Sequence, residues 1–364
     1  MKRQISFGII LLIYRREEDV MFYVFELIHH SNIRYREAVA RLGRCELLCM
    51  LHALGIETDQ ISVRTAGRVS FLCFESRTLS PGELTRLAGH SSVGLMAEEK
   101  DGWLHPLDVP SPDYLPEDLS EILKYRGKTS VPFTRFMVNT AAALSPYANS
   151  AEPLTLLDPL CGKGTSLFCA LQAGMNAVGL DQEKRSIQEA DAYFSRYLKT
   201  LRLKHSRSAV SETWKGRPIP VIRFSLADTK EHARNHDTRS LCLACGDTSA
   251  APALTRRRPA HVLVADLPYG VQHAPVESGR KPESFQSLLR RSLPLWHGCL
   301  APGGVIALSF NEFTLASQNV ISLLAESGFT PFRDACFTDL RHEVEQAVSR
   351  NVVFAIKNKE DYTL

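Results

Sequence analysis

A chain of 364 residues, 44% of them apolar, can bury a large core and is long enough for two domains. Its formal net charge of +3 excludes an argument for nucleic-acid binding from charge alone, so any such case rests on where the cations cluster. The nine cysteines, odd in number and scattered, count against a disulfide-stapled secreted domain and point to a reducing, cytoplasmic setting.

At the start, Lys2-Arg3 and the apolar run from Ile5 to Tyr14 imitate a signal peptide. No small-residue cleavage site follows, and Arg15-Arg16-Glu17-Glu18 ends the run too early to span a bilayer. The expectation there is a first strand and no membrane association. Phe22 to Leu27 reads as a strand, Tyr35 to Leu54 as an amphipathic helix ended by Gly55, and Val69 to Phe74 as another strand. Residues 1–115 are thus expected to form a smaller α+β domain suited to positioning RNA. Pro106, Pro110, Pro112 and Pro116 supply a linker composition ahead of a second domain over residues 116–364.

That domain opens with Lys124-Tyr125-Arg126-Gly127-Lys128-Thr129, followed by a helix from about Val131 to Leu144. A helix start carrying Lys128 and Thr129 suits a ligand carboxylate, and Thr129 or Ser130 also serves as a cap. Leu154 to Leu157 reads as a buried strand. It leads into Asp158-Pro159-Leu160-Cys161-Gly162-Lys163-Gly164-Thr165 and a helical pattern through Leu171. Glycines at a strand-to-helix corner let the backbone approach a ligand closely. A dinucleotide fingerprint wants a third small residue three places after Gly164, where Leu167 stands, which counts against NAD. The strand Ala177 to Leu180 then ends in Asp181, followed by Gln182, with the Asp181 carboxylate placed to accept from a ribose diol. Strand, glycine corner, helix, strand and acid together read as a site for an adenosine-containing cofactor.

Ser206 to Lys215 reads as an exposed loop and Pro220 to Phe224 as the next strand, leading to Asp228; about Lys230 to Arg258 reads as a polar insertion. Inside it, His232, His236, Cys242 and Cys245 are ligand types that zinc takes, but the histidines-first order and short spacing leave a flexible insertion as the simpler reading, and no metal is assigned. His261 to Ala265 is another buried strand. It ends in Asp266-Leu267-Pro268-Tyr269, where sheets of this kind bind ligands. A carboxylate, a turn fixed by proline and an aromatic face suit a flat ring that bears an amine, although a plain turn with a capping Asp has the same composition. Pro302-Gly303-Gly304 turns into a strand over 304–310, and Phe329 to Asp334 pairs with a closing strand, Asn351 to Ile356.

Asp158 to Thr165, Asp266 to Gly270 and the closing segment with Gln346 and Arg350 resemble a class I S-adenosylmethionine-dependent methyltransferase. More narrowly they resemble the THUMP-associated enzymes that modify the exocyclic amine of guanosine in tRNA. In that family the loop is Asp-Pro-Pro-Tyr or Asp-Leu-Pro-Phe/Tyr followed by Gly; here Leu267 takes the second place. The likeness covers residues 121–357, and the N-terminal third matches a THUMP domain only weakly. It implies an α/β, Rossmann-like sheet with a reversed C-terminal edge strand and S-adenosylmethionine as cofactor. The implied cofactor contacts are Asp158, Gly162 and Gly164 at the methionine moiety with Leu160 and Thr165 in the same loop, Asp181 with Gln182 at the ribose, Asp228 near adenine, and Lys128 and Thr129 at the helix start. Asp266, Leu267, Pro268 and Tyr269 would surround the target base, which must leave its stack to enter.

The partner so implied is tRNA or another structured RNA, and a homodimer or small activating subunit is left open. Three cation clusters suit phosphate: Arg34, Arg36, Arg41 and Arg44; Arg196, Lys199, Arg202, Lys204 and Arg207; and Arg256-Arg257-Arg258. The alternatives are an adenine-N6 methyltransferase acting on DNA or rRNA and a non-catalytic RNA-binding protein that keeps the fold. By resemblance to these families, Asp rather than Asn at 266 leans toward RNA guanosine.

Overall fold

Two apolar sheets share one core in the computed structural model, which describes residues 20–30, 33–121, 129–267, 284–345 and 348–358. The strand expected over Ile5 to Tyr14, and the roles expected of Lys128, Pro268, Tyr269 and Gln346, lie outside the described residues.

The first sheet consists of β1 (Met21–Leu27), β2 (Ser62–Ala66), β3 (Val69–Ser76), β4 (Val93–Lys100) and β5 (Trp103–Pro106), antiparallel in the order β2-β3-β1-β4-β5. Its aromatic centre strand is β1, where Tyr23, Val24 and Phe25 are buried. The helix Ile33–Ala53 packs on this sheet and also against the helix Val131–Leu144 of the second half. That second contact is pinned by a buried carboxylate, Glu46. It accepts from the Ser91 N–H at 2.8 Å, from Ser91 Oγ at 2.5 Å and from Asn139 Nδ2 at 2.7 Å. A charge taken out of water is tolerated only with such a full set of donors, so the Asn139 bond that completes the set ties the second half to the first. The proline-bearing stretch from Leu107 to Pro116 carries no helix or strand.

The second sheet contains β6 (Thr155–Asp158), β7 (Asn176–Asp181), β8 (Lys204–Trp214), β9 (Arg217–Ala227), β10 (Arg239–Cys245), β11 (Ala260–Asp266), β12 (Leu300–Asn311), β13 (Phe329–Pro331), β14 (His342–Glu345) and β15 (Val348–Lys357). Its order is β13-β15-β12-β11-β6-β7-β10-β9-β8, with β14 paired to β15. The strands β12, β11, β6, β7 and β10 are parallel, and β15 runs against both β12 and β13. Parallel strands covered on both faces must be apolar throughout, which is why Leu156-Leu157 and Val262 to Ala265 are buried without alternation.

The third parallel strand is not Pro220 to Phe224, as the apolar pattern predicts, but β10, which lies inside the supposed polar insertion. Leu241 to Ala244 are buried there, paired with Ala177 to Leu180 of β7. Pro220 to Phe224 belongs instead to β9, antiparallel to β10, and the loop expected over Ser206 to Lys215 is mostly β8. These two form a long hairpin closed by Lys215 (φ 48°) and Gly216 (φ 76°), the pair of positive angles that a tight two-residue hairpin turn requires. β8 is almost wholly exposed, so no apolar alternation marks it.

Leu167, which breaks the dinucleotide pattern, is accommodated from the other side. A Cβ at Gly179 of β7 would stand 2.3 Å from Leu167 Cδ1 and 2.9 Å from Cys161 Sγ. The small residue that lets helix and strand approach thus lies on the strand. Gly179→Ala should therefore destabilise the protein by about 1–3 kcal/mol through overpacking. A double-mutant cycle with Leu167→Ala in urea should recover part of that loss, and strict additivity of the two changes would show that the contact is not the cause.

Candidate active site

Parallel strands bring their carboxyl ends to one rim, and three neighbours there end in aspartate: Asp158 on β6, Asp181 on β7 and Asp266 on β11. After Asp158 the chain turns sharply. Gly162 (φ 52°) and Gly164 (φ 89°) adopt left-handed angles before the helix Thr165–Gln172 begins. The corner is tied in three places: the Leu160 N–H donates to Asp158 Oδ1 at 2.9 Å, the Cys161 N–H to the Leu180 carbonyl at 3.1 Å, and the Gly162 N–H to Asp181 Oδ2 at 2.8 Å. Ser166 Oγ donates to the other oxygen of Asp158. A Cβ at Gly162 would meet no atom within 4 Å, so the face of the corner is open. Asp181 also accepts from the Glu183 N–H at 2.8 Å, leaving further lone pairs on both oxygens.

Burial pushes the Asp158 carboxyl up to about 7, opposed by its bonds from Ser166 and Leu160 and reinforced by the nearby charges of Asp181 and Asp266. Burial likewise raises Asp181, against the backbone bonds from Glu183 and Gly162. The rim is an anionic cluster that resists its own charge. A cation brought to it relieves that repulsion.

Asp266 is held from two directions. Thr129 Oγ1, one residue before the cap of the Val131–Leu144 helix, donates to Oδ2, and Arg350 Nη2 of β15 lies 3.9 Å from the same oxygen. Arg350 is buried, with its guanidinium 5.0 Å from the Phe133 ring centroid, so it faces Asp266 and the core and does not reach outward to RNA. The Leu267 N–H donates to the Ser309 carbonyl at 2.8 Å and its side chain is buried. Leu267 therefore anchors the turn in the core. Behind Arg350, burial lowers the His342 imidazole to about 4; Phe133 and Tyr35 pack against it. Nothing in the sequence near His342 signals this, because β14 pairs with β15 only in the folded chain.

This strand order, with a reversed β15 between β12 and β13 and a glycine corner after the central β6, decides the architecture. It is an α/β, Rossmann-like sheet with a reversed C-terminal edge strand, as expected from the resemblance to class I methyltransferases. No family model and no curated protein sequence matches the chain. Among solved structures the chain is similar to TrmN from Thermus thermophilus, at 17% identity and a TM-score of 0.37, covering 82% of this chain and 59% of that one. It is also similar to the T. thermophilus 16S rRNA N2 G1207 methyltransferase RsmC, solved with AdoMet and guanosine, at 14% identity and a TM-score of 0.36, covering 82% and 58%. A third is the rRNA methyltransferase aviRa from Streptomyces viridochromogenes, at 14% identity and a TM-score of 0.37, covering 69% and 94%. The chain thus spans less than two thirds of the TrmN and RsmC chains.

The remaining expected cofactor contacts divide between the two rims. Leu160 and Thr165 belong to the glycine corner, Gln182 is exposed just beyond Asp181, and Thr129 bonds to Asp266. Asp228 is a correction. Because β9 is antiparallel, its end at Ala227 lies beside Arg239, at the start of β10 and on the rim opposite Asp181. There Asp228 accepts from His232 Nδ1 at 2.6 Å. The acid that follows the third parallel strand is Asp247, next to Gly246, whose N–H donates to the Asp181 carbonyl at 2.9 Å. Asp247 accepts both terminal nitrogens of Arg291, at 2.9 and 3.1 Å. The run Leu241 to Ala244 before Gly246-Asp247 was the signal for it.

The zinc alternative fares similarly. Cys242 is buried in mid-strand and His232 stands at the far rim, and no group of three or more metal-ligating side chains occurs among the described residues. Two cation clusters also sit away from the aspartates. Lys204 starts β8 opposite Ala227, and Arg256 to Arg258 precede the start of β11. The first cluster does approach the aspartate side, where Arg41 donates to the Arg341 carbonyl at 2.6 Å. No described helix is long and apolar enough to cross a membrane.

The open face at Gly162 and the mutual repulsion of three carboxylates fit a cofactor carrying a sulfonium and an ammonium. Asp181→Ala should weaken S-adenosylmethionine binding by about 1.5–3 kcal/mol, the loss of charge-assisted hydrogen bonds to the ribose. Equal affinity by titration calorimetry would show that Asp181 only ties down Gly162.

Proposed function

We propose that the protein methylates the exocyclic amine of a guanosine in RNA, with tRNA the favoured substrate and S-adenosylmethionine the donor. The observation that carries this reading is the Asp266 carboxylate, held by Thr129 and Arg350 on the strand next to the glycine corner. Bound at that corner by Asp158, Gly162, Gly164 and Asp181, the cofactor supplies a methyl group already made electrophilic by its sulfonium. What remains for the chain is alignment and the handling of a proton, and orientation by itself is worth several kcal/mol.

An exocyclic amine is a weak nucleophile because its lone pair delocalises into the ring. Asp266 accepts from the amine N–H, which favours the localised, nucleophilic form, and it takes up the released proton directly or through water. Thr129 and Arg350 hold its Oδ2 in place for this. The base enters flipped out of its stack, and Tyr269 is the side chain proposed to stack on it. The domain over residues 1–115 orients the RNA.

Labelled methyl transfer from S-adenosylmethionine to bulk tRNA, rRNA and DNA, followed by nucleoside analysis, tests the reading. N2-methylguanosine from tRNA is the expected product. N6-methyladenosine would replace it with the adenine alternative, and cofactor binding with no transfer to any nucleic acid would leave a non-catalytic RNA binder.

A further inference from the structure

One exposed aromatic at the aspartate rim has no task in the reaction just described. Of the large hydrophobic side chains exposed among the described residues, only Trp103 and Phe313 are aromatic. Phe313 is 65% exposed on the turn that follows β12. The turn is firmly held: Asn311 Oδ1 accepts from the Phe313 N–H at 3.2 Å and from the Ser349 N–H at 3.1 Å. The Glu312 N–H also donates to the Ser349 carbonyl at 2.7 Å. A phenyl ring kept in water by an ordered backbone, with no loose loop to fold it inward, leaves apolar surface for something else to cover.

Beside it is a cleft of about 320 Å³. Phe313, Arg41, Arg341, His342, Glu343 and Ser349 line it, so its walls come from the Ile33–Ala53 helix on one side and the β14–β15 hairpin on the other. Its charges are mixed: Arg41 lies 3.4 Å from Asp339, and Glu343 shares the lining with the two arginines. An aromatic face, guanidinium groups and a carboxylate match the base, phosphate and hydroxyl of a single nucleotide better than they match a uniformly anionic ligand. The cleft also adjoins the reaction centre, because His342 in its lining is paired across the hairpin with Arg350, whose side chain faces Asp266.

We propose that this cleft binds the nucleotide adjoining the target guanosine, with its base stacked on Phe313 and its phosphate against Arg41 and Arg341. The inference rests on the RNA reading above and adds a subsite to it. It also gives the N-terminal half a direct task, since Arg41 is the cation that half contributes to the wall, beside Ala38.

The test uses the full chain and a fluorescent single-stranded RNA heptamer with a central guanosine, carrying 5-iodouridine on its 5′ or 3′ side. In the wild type, irradiation should link one of the two heptamers to the peptide that contains Phe313. Phe313→Ala should weaken binding at least about fivefold, Phe313→Leu similarly, and Phe313→Tyr little, since stacking needs a π-face. Arg41→Ala with Arg341→Ala should lower the salt dependence of binding. Melting temperatures check that the exposed substitutions leave the fold intact. Unchanged affinity for Phe313→Ala, or no measurable binding of either heptamer by the wild type at low salt, overturns the subsite. These readouts are of binding, so they stand apart from the reaction: a wild type that binds and links through Phe313 yet methylates no RNA would defeat the proposed activity and leave the subsite intact.

Discussion

Alanine at position 266 should lower methyl transfer to RNA by about 10²–10⁴-fold, the usual contribution of a positioned acid–base group, while cofactor binding survives. The two effects separate because Asp266 lies at the end of β11, whereas the glycine corner and Asp181 are built on β6 and β7. Asn at 266 divides the role further. It keeps an oxygen that accepts from Thr129 or from an amine, but it cannot take up a proton. If orienting the amine dominates, Asn should retain much more turnover than Ala; if proton uptake dominates, the two should fall alike. Single-turnover rates with saturating cofactor read this directly. An alanine variant with wild-type turnover would remove Asp266 from the mechanism.

The second large effect belongs to Asp158 and depends on pH. Its carboxyl is pushed up to about 7 from an ordinary value of 3.8, so between those values the folded protein holds a proton that the unfolded chain does not. Stability of the free protein must then fall as pH rises through that window, by on the order of 4 kcal/mol in all. Asp181, also raised, adds in the same direction. A cation at the rim favours the ionised carboxyl, so S-adenosylmethionine binding should release a proton, and affinity should climb by up to about tenfold per pH unit from pH 5 toward 7. Asp158→Asn imitates the protonated carboxyl, keeps partners for Ser166 Oγ and the Leu160 N–H, and should flatten both trends. Calorimetry of the wild type at pH 6 in buffers of different ionisation heat checks the proton; finding none released would mean that Asp158 is not coupled to the ligand.

Much of the rim was legible in the residues because its signals are local. A buried parallel strand must be apolar throughout, and the residue where that run stops is at the rim by construction, so Asp158, Asp181 and Asp266 could be placed without knowing the sheet order. The misplacement of Asp228 has an equally physical origin. Val221 to Phe224, broken by the exposed Arg223, and Leu241 to Ala244, unbroken, are runs of the same length, and the unbroken one is only a local signal of which is parallel to β7. That choice is made by pairing across the sheet, where the exposed β8–β9 hairpin takes the edge and reverses the direction of the first run.

By itself the sequence determined which residues are apolar enough to be central strands, where those strands stop, and that glycines stand at the strand-to-helix corner after β6, where left-handed angles are needed, all of which depend on near neighbours in the chain. Only the tertiary structure decided that Thr129 and Arg350 converge on Asp266 and that two arginines frame Phe313. It also decided that two of three cation clusters face away from the aspartates. Those relations join residues far apart in sequence, and they exist only once sheet order and helix packing have set the distances between them.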